Sequence, residues 1–332
     1  MRNFWRSAAR WLPGLIISLV AIVLILKFVD LRRLVEALRT ANYWLILLFL
    51  AISLVWLSIR GIVWRTLLRE KASYRDSFIT INEGYLLNNF LPFRLGELGR
   101  AFLLGRKAKL DFMEVLPTIV IERGVDLAFS ALILLSAIPF VVGAEAAKNV
   151  ARVLGLLVVL ALVALYILAR KREAAMRVFN RFAASRPRLQ RIGEKFLAPL
   201  FAGLAILTDG SLFLRFFLWM AFDWLIGIGQ FYVLLLAFYP QAQPMWALFV
   251  LGVVAFGNAI PSLPGAVGTY EGAVVWALTL VSHDQSTALA VAIVGHLSSY
   301  LVTGIIGIYG LSTEGETLMG VYRQLRRREE AE

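Results

Sequence analysis

The sequence has no cysteine and only two histidines in 332 residues. Without thiols there is no disulfide framework, no thiolate metal site and no cysteine nucleophile, and the redox compartment goes unread. Charge is scarce too: 17% of residues are charged against 60% apolar, with a mean hydropathy of +0.75. That balance excludes an ordinary soluble domain. The motifs of common chemistries are also missing, with no HExxH pair, His-rich metal constellation, GxSxG elbow, compact Asp-x-Asp site or Walker sequence. We therefore expect no catalytic residue, no metal, no cofactor and no ATP hydrolysis by this chain.

What the sequence does hold is long apolar runs. Several approach or exceed the ~20 residues that cross a bilayer, so an all-α integral membrane protein is expected. Six full spans are predicted near residues 12–29, 43–63, 115–140, 150–169, 213–238 and 287–311. The first follows Arg2, Arg6 and Arg10 like a signal sequence, but no small-residue cleavage site comes after it. It reads as a retained anchor. The net charge of +12 sits in short loops, which fits positive-inside topology and anionic lipid rather than nucleic acid. Segments that alternate onto one side carry 23 basic residues, and the other side carries 4, namely Arg32, Arg33, Arg39 and Lys148. Both termini, including the tail 312–332, are thus expected on the cytoplasmic side, in what reads as a prokaryotic cell membrane. The basic stretch 170–195 predicts a helix lying on the inner leaflet.

Two further apolar stretches, 77–104 and 244–282, each begin and end on one side by this count. Each is broken in its middle, by "NNFLPFRLGE" in the first and "GNAIPSLPGAVGTYEG" in the second. Both breaks contain Asn-x-x-Pro, Asn89 to Pro92 and Asn258 to Pro261, with a glycine four residues after that proline, Gly96 and Gly265. Pro264 and Gly268 reinforce the second break. Each stretch follows two spans and precedes one, which predicts two inverted halves, 12–140 and 150–311, each with a re-entrant helical hairpin. Interrupted segments at corresponding places in inverted repeats point to a transporter's substrate site. Irregular backbone at that depth must be buried in protein or line a wet cavity. The outbound half-helices would begin there, near Glu97 and at Thr269, Tyr270 and Glu271, with Thr269 as N-cap. Their positive ends would favour an anion such as phosphate.

These residues also carry a resemblance. "NNFLPFRLGELGR" at 88–100, "ERGVD" at 122–126 and "PSLPGAVGTYEG" at 261–272 resemble signature segments of the flippase-like membrane region of lysylphosphatidylglycerol synthases, over about residues 10–312. The resemblance implies movement of a lipid with a phosphate-bearing head group between leaflets. The chain runs only to Glu332, so we expect a stand-alone member without the soluble aminoacyl-transfer domain of the bifunctional synthases.

Individual residues sort as follows. Arg94 is the expected phosphate ligand, with Glu97 neutralising it, whereas Arg100 and Arg60 read as snorkelling toward head groups. Glu122 and Asp126 share a helix face, with Arg123 beside them; they form either a structural ion cluster or a head-group or proton site. Asp223 calls for an arginine partner, His296 reads as a packing residue and His283 as part of an outer loop. The expected substrate site is Asn89, Arg94, Glu97, Glu122, Arg123, Asp126, Thr269, Tyr270 and Glu271, with Arg94, Glu97, Arg123 and Glu271 meeting at one midplane cavity. The expected function is a flippase-like lipid transporter. Its partners are membrane phospholipids or a polyprenyl-phosphate-linked head group, together with a synthase or glycosyltransferase. The alternatives are an intramembrane enzyme acting on a lipid phosphate or lipid-linked sugar, and an accessory subunit of lipid or glycan synthesis.

Overall fold

The computed structural model describes residues 18–23, 29–91, 95–141, 170–184, 208–257 and 263–331, with isolated positions in 25–27, 153–167 and 186–197. Among the described residues all regular structure is helical. The helices are α1 (Leu31–Thr40), α2 (Tyr43–Leu67), α3 (Tyr74–Phe90), α4 (Leu95–Ala108), α5 (Phe112–Val141), α6 (Arg172–Ala183), α7 (Gly210–Phe238), α8 (Pro244–Gly257), α9 (Thr269–Ser282), α10 (Gln285–Thr313) and α11 (Leu318–Ala331). A short 3-10 turn, Pro264–Ala266, precedes α9.

Four of these, α2, α5, α7 and α10, are long and apolar enough to cross a membrane. At 1.5 Å per residue they run about 37 to 45 Å, beyond the ~30 Å hydrocarbon core. In each an Asx side chain sets the start, which in α5, α7 and α10 falls two or three residues before the expected apolar run and in α2 coincides with it. Asn42 caps Trp44 and Leu45, Asp209 caps Leu212, and Asp284 caps Ser286 and Thr287. Asp111 likewise accepts from the Met113 amide at 2.7 Å at the head of α5. The spans expected at 12–29 and 150–169 lie almost wholly outside the described residues.

Helices α3, α4, α8 and α9 are shorter, 17 residues in the first and 14 in each of the others, or about 21 to 25 Å. They pack in pairs, α3 on α4 and α8 on α9. The packing between halves is reciprocal: α3 lies against α10, α8 lies against α5, and α2 and α7 pack on each other. Exchanging α2–α5 for α7–α10 leaves this list of neighbours unchanged.

Two segments differ from the sequence reading. The loop expected to hold Arg32, Arg33 and Arg39 forms helix α1, capped by Asp30 and packed on α10. The terminal tail holds α11, whose Val321 is fully buried beside Leu86, Leu87, Leu103 and Leu311. An ion pair from Arg106 to Glu316 fastens the approach to α11 onto α4. In both, an amphipathic pattern within a short polar segment was outweighed by the charge count.

Glycine lets α10 approach α3. A methyl at Gly307 would sit 2.8 Å from the Asn82 carbonyl oxygen and 2.8 Å from the Leu86 Cβ, whereas Gly304, one turn earlier, faces open space. Gly307→Ala is therefore expected to destabilise by about 1–3 kcal/mol. Gly304→Ala should be neutral or stabilising by up to about 1 kcal/mol. Thermal unfolding of both variants in detergent checks the contrast.

Candidate functional site

Charged side chains from four helices meet inside this apolar bundle. Glu122 on α5 is completely buried and is approached by three guanidinium groups. Arg100 Nη2 of α4 donates to Glu122 Oε2 at 2.9 Å, Arg123 Nη2 donates to Oε1 at 2.7 Å, and Arg60 Nη1 of α2 lies 3.7 Å from Oε1. Arg60 also donates to both Asp126 oxygens, at 3.0 and 3.1 Å, and its Nη2 lies 3.1 Å from Asp223 Oδ2 on α7. Arg123 closes the set against Asp126 at 3.3 Å, and Arg100 reaches Glu97 at 3.3 Å. Trp224 donates to Asp126 at 3.3 Å, and the Arg100 guanidinium stands 4.2 Å from the Trp64 ring centre.

This geometry corrects two expectations. Arg100 is completely buried and Arg60 is 5% exposed, so neither snorkels. Glycine is the reason for Arg100: a Cβ at Gly84 on α3 would overlap its aliphatic stem. Periodicity could not show that a small residue one hairpin arm away makes room for it. Asp223 does find an arginine, Arg60, as its chemistry required.

Among the described residues three guanidinium groups face four carboxylates, Glu97, Glu122, Asp126 and Asp223. At the same time the Nε donors of Arg60, Arg100 and Arg123 are buried without a hydrogen-bond partner, and neither Asp223 oxygen has one of good geometry. An unmade buried hydrogen bond costs about 1–3 kcal/mol. The set therefore has spare capacity for both a proton and an oxygen acceptor. Only the edge is accessible: the Arg123 side chain is 34% exposed and that of Glu97 20%.

The second polar centre surrounds the break before α9. Gly265 at φ 70°, Ala266 at φ 59° and Gly268 at φ 85° place three left-handed residues within four positions. For Ala266 that backbone costs roughly 1–2 kcal/mol, and such strain concentrates at functional sites. The Gly265 carbonyl accepts from Tyr300 Oη at 2.6 Å and from His296 Nε2 at 2.9 Å. His296 Nδ1 lies 2.5 Å from Glu271 Oε1. A carbonyl can only accept, so Nε2 carries a proton. A second proton must then lie between Nδ1 and the carboxylate, because two lone pairs at that distance would repel. His296, read from sequence as a packing residue, thus forms one proton-sharing pair with Glu271, flanked by the rings of Tyr270 and Tyr300, each 4.4 Å away. The only sequence signal for it was its position on a span facing a broken helix.

The two breaks touch. The Pro264–Ala266 turn packs on α3, where a Cβ on Gly265 would lie 3.3 Å from the Asn89 carbonyl oxygen. At each outbound helix start one amide is answered from within the chain. Asn88 Oδ1, which the sequence reading passed over for Asn89, accepts from the Gly96 amide at 2.8 Å. Glu271 Oε2 accepts from the Gly268 amide at 2.7 Å. Gly268 rather than Thr269 is the N-cap residue, and the Thr269 hydroxyl donates back to the Ala266 carbonyl at 3.0 Å. Glu97, Glu122, Arg123 and Asp126 therefore belong to the first centre, and Thr269, Tyr270 and Glu271 to the second, with Asn89 at their junction. Arg94, Pro92, Asn258 and Pro261 lie outside the described residues. His283 ends α9 in a left-handed conformation, φ 57°.

Long apolar helices around a buried ionic cluster beside interrupted helices define an integral membrane protein with a polar site inside its bundle. The comparison with known families is specific: residues 11–307 match the lysylphosphatidylglycerol synthase TM region, and the chain belongs to that family. Two membrane proteins of Methanothermobacter thermautotrophicus, both named UPF0104 membrane protein, are similar over nearly their whole lengths. One is 22% identical, covering 90% of this chain and 92% of its own; the other is 21% identical, covering 92% and 95%. Glycosyltransferase AglD of Haloferax volcanii is 23% identical over 93% of this chain, which spans only 56% of that protein. No solved structure matches the chain.

Glu122 is the shared partner of three arginines, so Glu122→Gln removes the one counter-charge that Arg60, Arg100 and Arg123 have in common. Breaking a buried pair from one side costs about 3–5 kcal/mol. The variant should show a markedly lowered melting temperature in detergent, and Glu97→Gln, at the partly exposed edge, a much smaller drop.

Proposed function

We propose that the protein moves a phosphate-bearing lipid head group between leaflets, sheltering it between two re-entrant hairpins while the tails stay in the bilayer. The hairpins are α3–α4 and α8–α9, entering from opposite faces in two inverted halves, with both termini cytoplasmic. The reciprocal packing of the halves and helices too short to cross the core support this arrangement. The observation that carries the reading is Arg123, a guanidinium one-third exposed at the edge of a buried cluster, with its Nε unpartnered. Arginine presents a fork of donors that fits phosphate, and a phosphate oxygen can replace a carboxylate oxygen on it. Arg94, in the break two residues after Pro92, supplies a second guanidinium in this reading.

Displacement of a carboxylate from arginine leaves it free to take a proton, which would link lipid movement to protons. The Glu271–His296 pair, already holding a shared proton against the outer break, is the other element of such a link. A full charge crossing the membrane is worth roughly 2.3 kcal/mol per 100 mV, enough to bias two access states.

A second reading draws on one comparison: AglD is named a glycosyltransferase, so a role as an accessory membrane unit of lipid or glycan synthesis is the alternative. Protein reconstituted in liposomes separates the two. Exchange of a labelled phosphate-headed lipid across the bilayer, without new product, supports transport; no exchange over a panel of phosphate-headed lipids overturns it. Arg123→Gln should slow exchange by at least about tenfold, and Arg123→Lys should recover only part, because lysine keeps the charge but not the fork. An imposed pH gradient should alter the initial rate or the final leaflet ratio. Glu271→Gln should remove that response. Wild-type exchange indifferent to both pH gradient and potential would make the protein a passive scramblase with structural carboxylates.

A further inference from the structure

A separate cavity of about 710 Å³ lies at the ends of two spans, away from the broken helices. Its wall comes from the turn after α2, from the start of α6 and from the turn before α7. Five cationic residues line it: Arg69, Arg170, Lys171, Arg172 and Arg177. Two carboxylates, Glu173 and Asp209, share the wall. Asp209 is committed elsewhere: it caps α7 by accepting from the Leu212 amide at 3.2 Å and lies 3.9 Å from Arg69. Glu70 in the neighbouring turn is also occupied, since Arg215, by hydrogen bond and charge, and then Arg65 hold its carboxyl below the ordinary value. Among the described lining residues five cations thus face two carboxylates.

Helix α6 adds two features. It opens into the cavity at its N-terminus, where Lys171 is the N-cap residue and no side chain caps the first turn, so the positive helix end faces the same space as the arginines. Its other faces show where the cavity sits. Ala175 and Met176 pack against the buried cluster of α2, α5 and α7, while Val178 and Phe182 are 68% and 67% exposed, one turn apart on the outward side. A helix with a docked face, an exposed apolar stripe and a basic end is built for the bilayer surface. Span ends and an exposed apolar stripe together put the cavity at head-group level.

We propose that this cavity binds a phosphate-bearing anion, and that its source is the head group of an anionic membrane lipid. The volume falls in the roughly 300–1,000 Å³ range of ligand pockets. The site is distinct from the one in the broken helices, and binding here is a property of the resting protein that does not require lipid to change leaflet.

The test uses the full-length protein in neutral detergent micelles, titrated with short-chain phosphatidylglycerol, with phosphatidylcholine of the same chain length and with inorganic phosphate. Wild type should bind phosphatidylglycerol at least about tenfold more tightly than phosphatidylcholine, and Arg172→Gln/Arg177→Gln should lose that margin. Lys109→Gln, which removes an exposed charge outside the cavity, should keep it. Phosphatidylglycerol binding that inorganic phosphate cannot displace identifies the lipid as source; displacement by phosphate at similar concentration assigns the site to a free anion and overturns the lipid half of the proposal. If the double variant does not fold, Arg177→Gln alone should show a partial loss. Retention of the margin in a folded cavity variant, or an equal loss in Lys109→Gln, overturns the site.

Discussion

The structure depends on where the Glu122 charge is placed. A carboxylate with no exposure in an apolar bundle is tolerable only if cations come to it, because an isolated buried ion would otherwise cost far more than folding can supply. Three arginines come, from α2, α4 and α5, and the Asp223 of α7 is drawn in through Arg60. The ion cluster is therefore the joint of the first hairpin with three spans, held by charges that have no alternative solvent. Such a joint need not be more stabilising than an apolar one. What it adds is direction: each guanidinium has a fixed set of oxygens, and sliding one helix by a turn would strand a charge.

Glycine makes the joint possible. Gly84 leaves room for the stem of Arg100, and Gly96, at the start of the returning arm, lies close against the Gly84 carbonyl and the Asn88 side chain. The two arms of the first hairpin are consequently so close that Arg100 passes from α4 across α3 without meeting a Cβ. On the other side of α3, Gly307 and Gly310 of α10 admit the Asn82 carbonyl and the Glu83 carboxylate. Glu83 is in turn held by Lys107, which also pairs with Glu314. Helix α3 is thus packed through small residues on two sides, which places its far end, at Asn89, against the second break.

Much of this was legible in the sequence. Hydropathy located the four long helices to within a few residues, and the Asp caps account for the earlier starts of α5, α7 and α10. The second of the matched breaks marked where the chain is irregular, and it carries three left-handed residues. The acid and base residues in ERGVD were marked as a cluster, but its membership was not legible. Arg60 and Arg100 were assigned to the membrane surface because span position is a one-dimensional property. Whether an arginine reaches water or a carboxylate depends on which helix lies beside it. His296 was undervalued for the same reason: a histidine says nothing of its partner until Glu271, 25 residues earlier, is folded next to it.

The helix starts at the breaks make the last point. Dipoles and free amides at a half-helix N-terminus suit an anion, and from sequence alone that anion would be the substrate. In this structure the chain supplies its own acceptors, the Asn88 amide oxygen for Gly96 and the Glu271 carboxylate for Gly268. An anion that takes the Gly268 amide must therefore displace Glu271. Displacing it also disturbs the shared proton on His296, which in turn holds the Gly265 carbonyl beside Asn89. Occupation by the protein's own carboxylate makes binding weaker than an open helix end would allow. In the proposed transport reading it also ties anion arrival, proton position and the contact between the two breaks into one equilibrium, which an unoccupied helix end could not do.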